Sequence, residues 1–275
     1  MSDNQFYLKV WGARGSIPTP GPKTLKYGGN TSCLEVRCGK ELLIFDAGTG
    51  IRELGVALRA ETAPVNANIF FSHLHWDHIQ GFPFFTPFYG PGNEFNLYGE
   101  RKTDEDLETI LSKQMKYPFF PVPIPKSPSK ITFNDLKENQ EITIGDIKVT
   151  SYRVNHPDGC LAYRVDYAGK SIVYATDTEH TGEIDKNLVK ASQDSDIFIY
   201  DCNYTEEEYQ MRKGWGHSTW NEGLKIIKES GAKKLVLWHH DPMHDDNFIA
   251  NLEKTVQEQF PSTEAAEEGK IIRVI

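Results

Sequence analysis

The sequence predicts a layered α/β fold. Strand-like runs rich in β-branched and aromatic residues alternate with segments whose apolar residues recur at helical spacing. Residues suited to holding metal gather where those strand-like runs end. The 275 residues allow one large domain or two small ones. No internal repeat, low-complexity segment or interdomain linker is visible, so the expectation is one domain over residues 1–275 with a sizeable core.

Composition narrows the function classes. The net charge of −9 argues against broad electrostatic binding of nucleic acid. The start, Met1-Ser2-Asp3-Asn4-Gln5, lacks the basic and apolar regions of a signal peptide. No apolar stretch is long enough to span a membrane. The four cysteines, Cys33, Cys38, Cys160 and Cys202, form no Cys-x-x-Cys pair and read as reduced, partly buried thiols of a cytoplasmic protein.

Residues 6–11 alternate like a strand. A Gly/Pro-rich loop follows from Gly12 and closes with Tyr27-Gly28-Gly29-Asn30-Thr31-Ser32. Its small residues permit close backbone approach to a ligand, and its amides can bind an anion; the plainer reading is a long connection between strands. Residues 33–37 and 41–45 form a hairpin that ends in Asp46-Ala47-Gly48-Thr49-Gly50. Ile51, Leu54 and Leu58 mark an amphipathic helix up to Ala60.

A strand over 68–72 delivers His73-Leu74-His75-Trp76-Asp77-His78. Three imidazoles and a carboxylate within six positions suit zinc or a similar borderline divalent ion. With the strand ending near Ser72, His73 and His75 emerge on one side, and Asp77 and His78 on the next turn face a second ion. The rings of 79–89 read as core packing behind that loop. Residues 95–99 form a short strand. Thr103 as N-cap and Asp106 at the third helical position start a helix whose apolar face is Leu107, Ile110, Leu111 and Met115. The prolines of 117–125 bar a regular helix there. That aromatic segment is a pocket wall, a lid, a dimer contact or a strap over the core.

Strands over 142–144 and 147–154 lead to His156, and the next, over 161–165 and 171–175, lead to Thr176-Asp177-Thr178. A helix over 184–191, a buried strand over 196–202 and a helix over 206–212 follow. Gly214-Trp215-Gly216-His217-Ser218-Thr219 opens another helix, with Leu224 and Ile227 on its apolar side and Gly231 at its end. A strand over 234–238 ends in His239-His240-Asp241-Pro242. A helix over 245–259 and a strand over 271–275 close the chain.

His-x-His-x-Asp-His at 73–78, Asp46, His156 before Leu-Ala-Tyr-Arg-Val, Asp177-Thr178, Gly-His-Ser-Thr at 216–219 and Leu-Val-Leu-x-His at 235–239 together resemble the metallo-β-lactamase superfamily of binuclear metallohydrolases. The likeness is greatest to the ribonuclease Z-like phosphodiesterases and covers nearly the whole chain. It implies a four-layer αββα sandwich. It implies that His73, His75 and His156 hold one metal, that Asp77, His78 and His239 hold the other, and that Asp177 bridges them; His240 is the alternative to His239. Zinc is the expected ion, with manganese as the alternative. Asp46 would hold the ligand loop from behind. The glycine loop also resembles the family's, ending in Asn30 and Ser32 but with Gly29 where the family carries Arg. Asn30, Ser32 and Arg14 are therefore candidate substrate contacts.

Two divalent ions in one site lower the pKa of a shared water and clamp both oxygens of an in-line displacement. Asp77 would orient or deprotonate that water, and protonated His217 would donate to the leaving alkoxide. The glycine loop, His-Trp-Asp-His followed by Gln-Gly-Phe-Pro-Phe-Phe, and His-His-Asp-Pro are similar to a bacterial and phage group that degrades cyclic nucleotide signals. The expected activity is thus hydrolysis of a small phosphodiester, a cyclic mononucleotide first, by a homodimer. The competing readings are a tRNA 3′-processing endoribonuclease, a lactone or ester hydrolase, a catalytically dead interaction protein, and a di-iron redox protein. Against the first stands the short interval from His156 to Asp177, which holds a hairpin where tRNA-processing members carry a clamping arm.

Overall fold

The computed structural model describes residues 5–60, 64–102, 104–124 and 128–275. One sheet runs β14-β1-β2-β3-β4-β5-β6, built from β1 (Phe6–Gly12), β2 (Cys33–Cys38), β3 (Glu41–Phe45), β4 (Asn66–Phe70), β5 (Glu94–Glu100), β6 (Lys130–Leu136) and β14 (Ile271–Arg273). The other runs β13-β12-β11-β10-β9-β8-β7, from β7 (Glu141–Ile144), β8 (Ile147–Val154), β9 (Cys160–Tyr167), β10 (Lys170–Ala175), β11 (Ile197–Asp201), β12 (Leu235–Trp238) and β13 (Thr263–Ala265). Each sheet pairs its outer hairpins antiparallel and its β3–β6 or β10–β13 half parallel.

Side-chain alternation builds three cores from these strands. Leu43 and Phe45 of β3 point between the sheets, while Leu42 and Ile44 point outward beneath α1 (Gly50–Arg59). In β12, Val236 and Trp238 face the inner core, and Leu235 and Leu237 face the outer one. Both faces of the central strands are therefore buried, as parallel strands require. Ile51, Leu54 and Leu58 of α1 cover the first sheet. α4 (Lys186–Ser192), α6 (Trp220–Ser230) and α7 (Asp246–Gln259) cover the second. The order of layers is αββα. Among the described residues, no helix is long and apolar enough to cross a membrane. All four cysteines are buried with free thiols.

Element ends follow local chemistry. Gly231, left-handed at φ 73°, ends α6 and donates its N–H to the Ile227 carbonyl at 2.8 Å. The Asp245 side chain caps α7 by accepting from Phe248 N at 2.9 Å. Three expectations change. The helix α3 is Leu107–Gln114, and Asp106 is its N-cap rather than its third residue, accepting from Thr109 N at 2.8 Å; Thr103 lies outside the described residues. β6 and β13 are strands the sequence reading lacks. β6 is a sheet edge on which Leu136 alone is fully buried, and β13 spans only three residues, so neither carries a strong apolar pattern. β4 ends at Phe70, not near Ser72, so Phe71 and Ser72 already belong to the loop that carries His73 and His75.

A floor of rings fixes that loop. Phe45 and Phe70 stack at 5.3 Å, and Tyr163 and Tyr174 pack against Phe45 at 5.6 Å each. Tyr163 OH donates to the Phe71 carbonyl at 2.6 Å, just before the histidines. Each such buried ring contributes about 1.5–3 kcal/mol, and here it also sets the height of the loop.

Candidate metal centre

Asp46, Ser72, His73, His156, Asp177 and His239 lie just beyond the C-terminal ends of strands and Asp201 is the last residue of β11, all on one edge of the sandwich. α2 (Trp76–Ile79) carries Asp77 and His78 back toward them. The structure brings the expected ligands together in two groups. His73, His75 and His156 form one; Asp77, His78, Asp177 and His239 form the other; in each, one donor atom per residue lies within 4.8 Å of the rest.

The second group has the dimensions of a coordination shell. His78 Nε2 and His239 Nε2 are 3.3 Å apart, and each is 3.2 Å from Asp177 Oδ1. Asp77 Oδ2 is 3.3 Å from His78 Nε2 and 3.1 Å from His239 Nε2. Four tetrahedral ligands at zinc distances stand about 3.3–3.4 Å from one another. The other oxygen of Asp177, Oδ2, faces His73 Nε2 at 3.6 Å, so this carboxylate spans both groups.

The first group fits a cation equally. His75 Nδ1 and His156 Nε2 meet at 3.2 Å. His156 Nδ1 donates to the Gly216 carbonyl at 2.8 Å, which leaves a bare lone pair on Nε2. Ser72 Oγ lies 3.1 Å from His73 Nδ1. His73 Nε2, fully buried, has no hydrogen-bond partner among the described residues. Burial and the neighbouring imidazoles of His78, His156 and His75 hold His73 well below the ordinary histidine range, so it stays neutral. A neutral, dry nitrogen aimed at two others is a ligand set in search of positive charge.

Behind the ligands, Asp46 is fully buried and accepts from His78 Nδ1 (2.8 Å), Ser72 N (2.7 Å), Ser72 Oγ (2.8 Å) and Tyr174 OH (2.8 Å). That fixes the His78 tautomer with Nε2 toward the site. Burial opposes charge on His78, but Asp177, Asp77 and Asp46 outweigh it and raise its pKa well above the ordinary value. For Asp77 burial works the other way, and His78 and His239 override it to lower the carboxyl. Asp46, Asp177 and His239 take left-handed backbone at φ 60°, 41° and 61°. Such conformations cost about 1–3 kcal/mol each and persist where packing over-determines them.

His217 sits beside these groups. Its Nδ1 is 3.0 Å from Asp201 Oδ2 and 3.8 Å from Asp177 Oδ2. Burial lowers its pKa, but Asp201, then Asp177 and Asp77, raise it to about 9. Asp177, Asp201, His217 and His239 also lie close enough to suggest a further cation site. His217 Nδ1 is instead engaged by Asp201 Oδ2 at 3.0 Å, with the His217 ring stacked on His239 at 4.8 Å. Asp201 and His217 form a proton-holding pair.

Sequence reasoning gave Asp201, Ser72, Tyr174, Asn203 and Glu179 no role. Asp201 had a readable signal, a charge ending the fully buried run Ile-Phe-Ile-Tyr. Conversely, the expected substrate contacts do not reach the ligand groups. Arg14 is 1% exposed and donates to the carbonyls of Gly28 (2.8 Å), Asp241 (3.1 Å) and His244 (2.7 Å). Ser32 is fully buried beside Trp238 Nε1, and Asn30 Nδ2 donates to Glu268 at 3.1 Å. All three hold the glycine loop together; what the loop offers the site is Ser16 N–H, donated to Asp77 Oδ2 at 2.7 Å. His240 turns away from the site, with Nε2 2.9 Å from the Ala266 carbonyl, and burial, with Arg14 beside it, brings its pKa down to about 3. Beside the centre, Leu74, Trp76, Ile79, Gln80, Phe84 and Phe120 line an apolar cavity of about 550 Å³.

A layered fold with paired His/Asp clusters at its strand ends defines a metal-dependent hydrolase. Residues 42–240 match the Beta-lactamase superfamily domain, and the chain belongs to that family, on its ribonuclease Z-like branch. Ribonuclease Z from Brevibacillus brevis is 23% identical over 281 residues, covering 82% of this chain and 85% of its own. The metallo-β-lactamase fold protein YhfI from Bacillus subtilis superposes with a TM-score of 0.73 at 22% identity, over 98% of this chain and 99% of its own. A diphosphatase of the PhnP family gives 0.71 at 19% identity, over 98% and 97%.

Proposed function

We propose that the protein is a phosphodiesterase that hydrolyses small cyclic nucleotides, cyclic mononucleotides foremost, with two zinc ions (manganese being the alternative) held by His73, His75 and His156 and by Asp77, His78 and His239, and bridged by Asp177. When bound, such ions activate a shared water and neutralise charge on the phosphoryl oxygens. Asp77, steadied by Ser16 N–H, orients that water. Asp201 keeps a proton on His217, which donates it to the departing alkoxide. The observation that carries this reading is the buried Asp201–His217 pair beside Asp177, an acid that can protonate an alkoxide as it leaves phosphorus.

Substrate size is read from the surroundings. β9 and β10 are joined by the two-residue turn Ala168-Gly169, with no arm to grip a tRNA. The net charge is −9. The aromatic cavity beside His75 suits a base, by stacking. The relatives named ribonuclease Z support the runner-up, tRNA 3′ processing. The reading also takes the protein as a cytoplasmic homodimer. Four buried free thiols suit the compartment. Tyr117 and Phe119, 87% and 77% exposed, suit coverage by a second copy. The test is a panel of cyclic mononucleotides, cyclic dinucleotides and a tRNA precursor, run with metal-loaded protein and with Asp77→Ala and His217→Ala. Turnover of cyclic mononucleotides, lost in both variants, is the expected result. Cleavage of the precursor alone would establish the runner-up.

A further inference from the structure

Glu179 takes no part in either ligand group, yet it joins the three segments that carry His156, Asp177 and His217. It follows Asp177 by two residues. Its Oε1 accepts from Gly214 N at 2.6 Å and its Oε2 from Gly216 N at 2.8 Å. Its own N–H donates to the Asn155 carbonyl at 2.7 Å, and Asn155 Nδ2 donates back to the Glu179 carbonyl at 2.9 Å. One carboxylate thus pins the strap Gly214-Trp215-Gly216 to the end of β8.

The strap depends on that grip. Gly214 and Gly216 both take left-handed backbone, at φ 88° and 89°. Gly216 passes so close to His156 that an added Cβ would lie 2.2 Å from its Nδ1. The Gly216 carbonyl fixes the His156 tautomer, and the next residue is His217. Tyr209 OH holds the segment that carries Glu179, donating to the carbonyl of the next residue, His180, at 2.6 Å. A carboxylate that accepts from two amides of one loop sets the height and tilt of whatever follows the loop.

We infer that Glu179 is a positioning residue that aims the His217 imidazole at the leaving oxygen. The inference rests on the acid role proposed for His217. Glu179→Gln keeps the shape but turns an NH₂ toward one of the two amides, a donor facing a donor, so the strap shifts. Glu179→Asp keeps both acceptor oxygens on a shorter stem.

The experiment compares 3′,5′-cyclic AMP, whose opening expels an alkoxide that needs a proton, with bis(p-nitrophenyl) phosphate, whose phenolate leaves without one. Both are assayed at saturating metal in the wild type, His217→Ala, Glu179→Gln and Glu179→Asp, with bound ions per chain and Tm measured alongside. The expected result is that His217→Ala and Glu179→Gln each lower turnover of cyclic AMP at least about tenfold more than that of the aryl ester. Glu179→Asp should recover part of the difference, and it carries the test if Glu179→Gln does not fold. Equal losses on both substrates in the Glu179 variants, with selective loss in His217→Ala, would overturn the inference and leave the function standing. No selectivity in His217→Ala would overturn the acid role and the inference together.

Discussion

Replacing Asp201 by Asn tests how the proton on His217 is kept. Asp201 accepts from His217 through Oδ2 and from the amides of Thr178 (Oδ2, 3.1 Å) and Asn203 (Oδ1, 3.0 Å). An Asn oxygen can serve His217 and Thr178, but its NH₂ then meets the Asn203 amide. The charge is gone in either orientation. Burial alone would take His217 below the ordinary value of about 6.5, and Asp201 is the first of the carboxylates that lift it to about 9. Bound cations offset what Asp177 and Asp77 add, which leaves Asp201 as the main support of the proton. The sign follows: a histidine acid works below its pKa, so activity falls as pH rises through it. In the wild type this alkaline limb should lie above the ordinary value and no higher than about 9. In Asp201→Asn it should move at least one pH unit toward acid. At a pH between the two limbs, turnover of 3′,5′-cyclic AMP should then fall about tenfold or more, up to the roughly 10²–10⁴-fold that a general acid contributes. The two enzymes should converge at acid pH. A pH–rate profile with an unmoved limb would refute the reasoning.

Chelation of the metals should lower Tm by about 10 °C, since ions at a thousand times their Kd add about 4 kcal/mol and a chain of this size shifts by about 2–4 °C per kcal/mol; calorimetry with and without chelator checks it. Gly216→Ala should drive its Cβ into His156 and weaken that ligand group about 10–100-fold, so that elemental analysis after dialysis finds close to one ion per chain. Asp46→Asn keeps one acceptor where four donors converge. It should weaken the His78 group by a similar factor and cost about 1–3 kcal/mol of stability, read by chelator competition and urea unfolding.

The two groups of candidate ligands were legible because their residues are dense in the sequence or follow strands. Four of them fall within 73–78, and His156, Asp177 and His239 each come one or two residues after a strand-like run. The layers were legible because alternation and helical spacing both point to buried faces on both sides of the sheets. Residues whose role comes from tertiary meeting were not. Asp201 finds His217 sixteen positions away, and Glu179 finds the strap thirty-five and thirty-seven positions away. Arg14 misled for a related reason. A cation in a glycine loop suggests a phosphate, and only the three-dimensional path of the loop turns its guanidinium onto buried carbonyls. The Leu-Val-Leu-x-His pattern favoured His239 over its neighbour His240, and the left-handed backbone at His239 is where the directions of the two side chains part.

On the proposed function, this centre directs water onto the phosphorus of a cyclic nucleotide. Turnover of 3′,5′-cyclic AMP by metal-loaded protein in ¹⁸O-water tests it most directly. The expected product is a nucleoside monophosphate with a single label on its phosphoryl group, formed by the wild type and not by Asp77→Ala. Intact substrate in the wild type, or an unlabelled product, would contradict it.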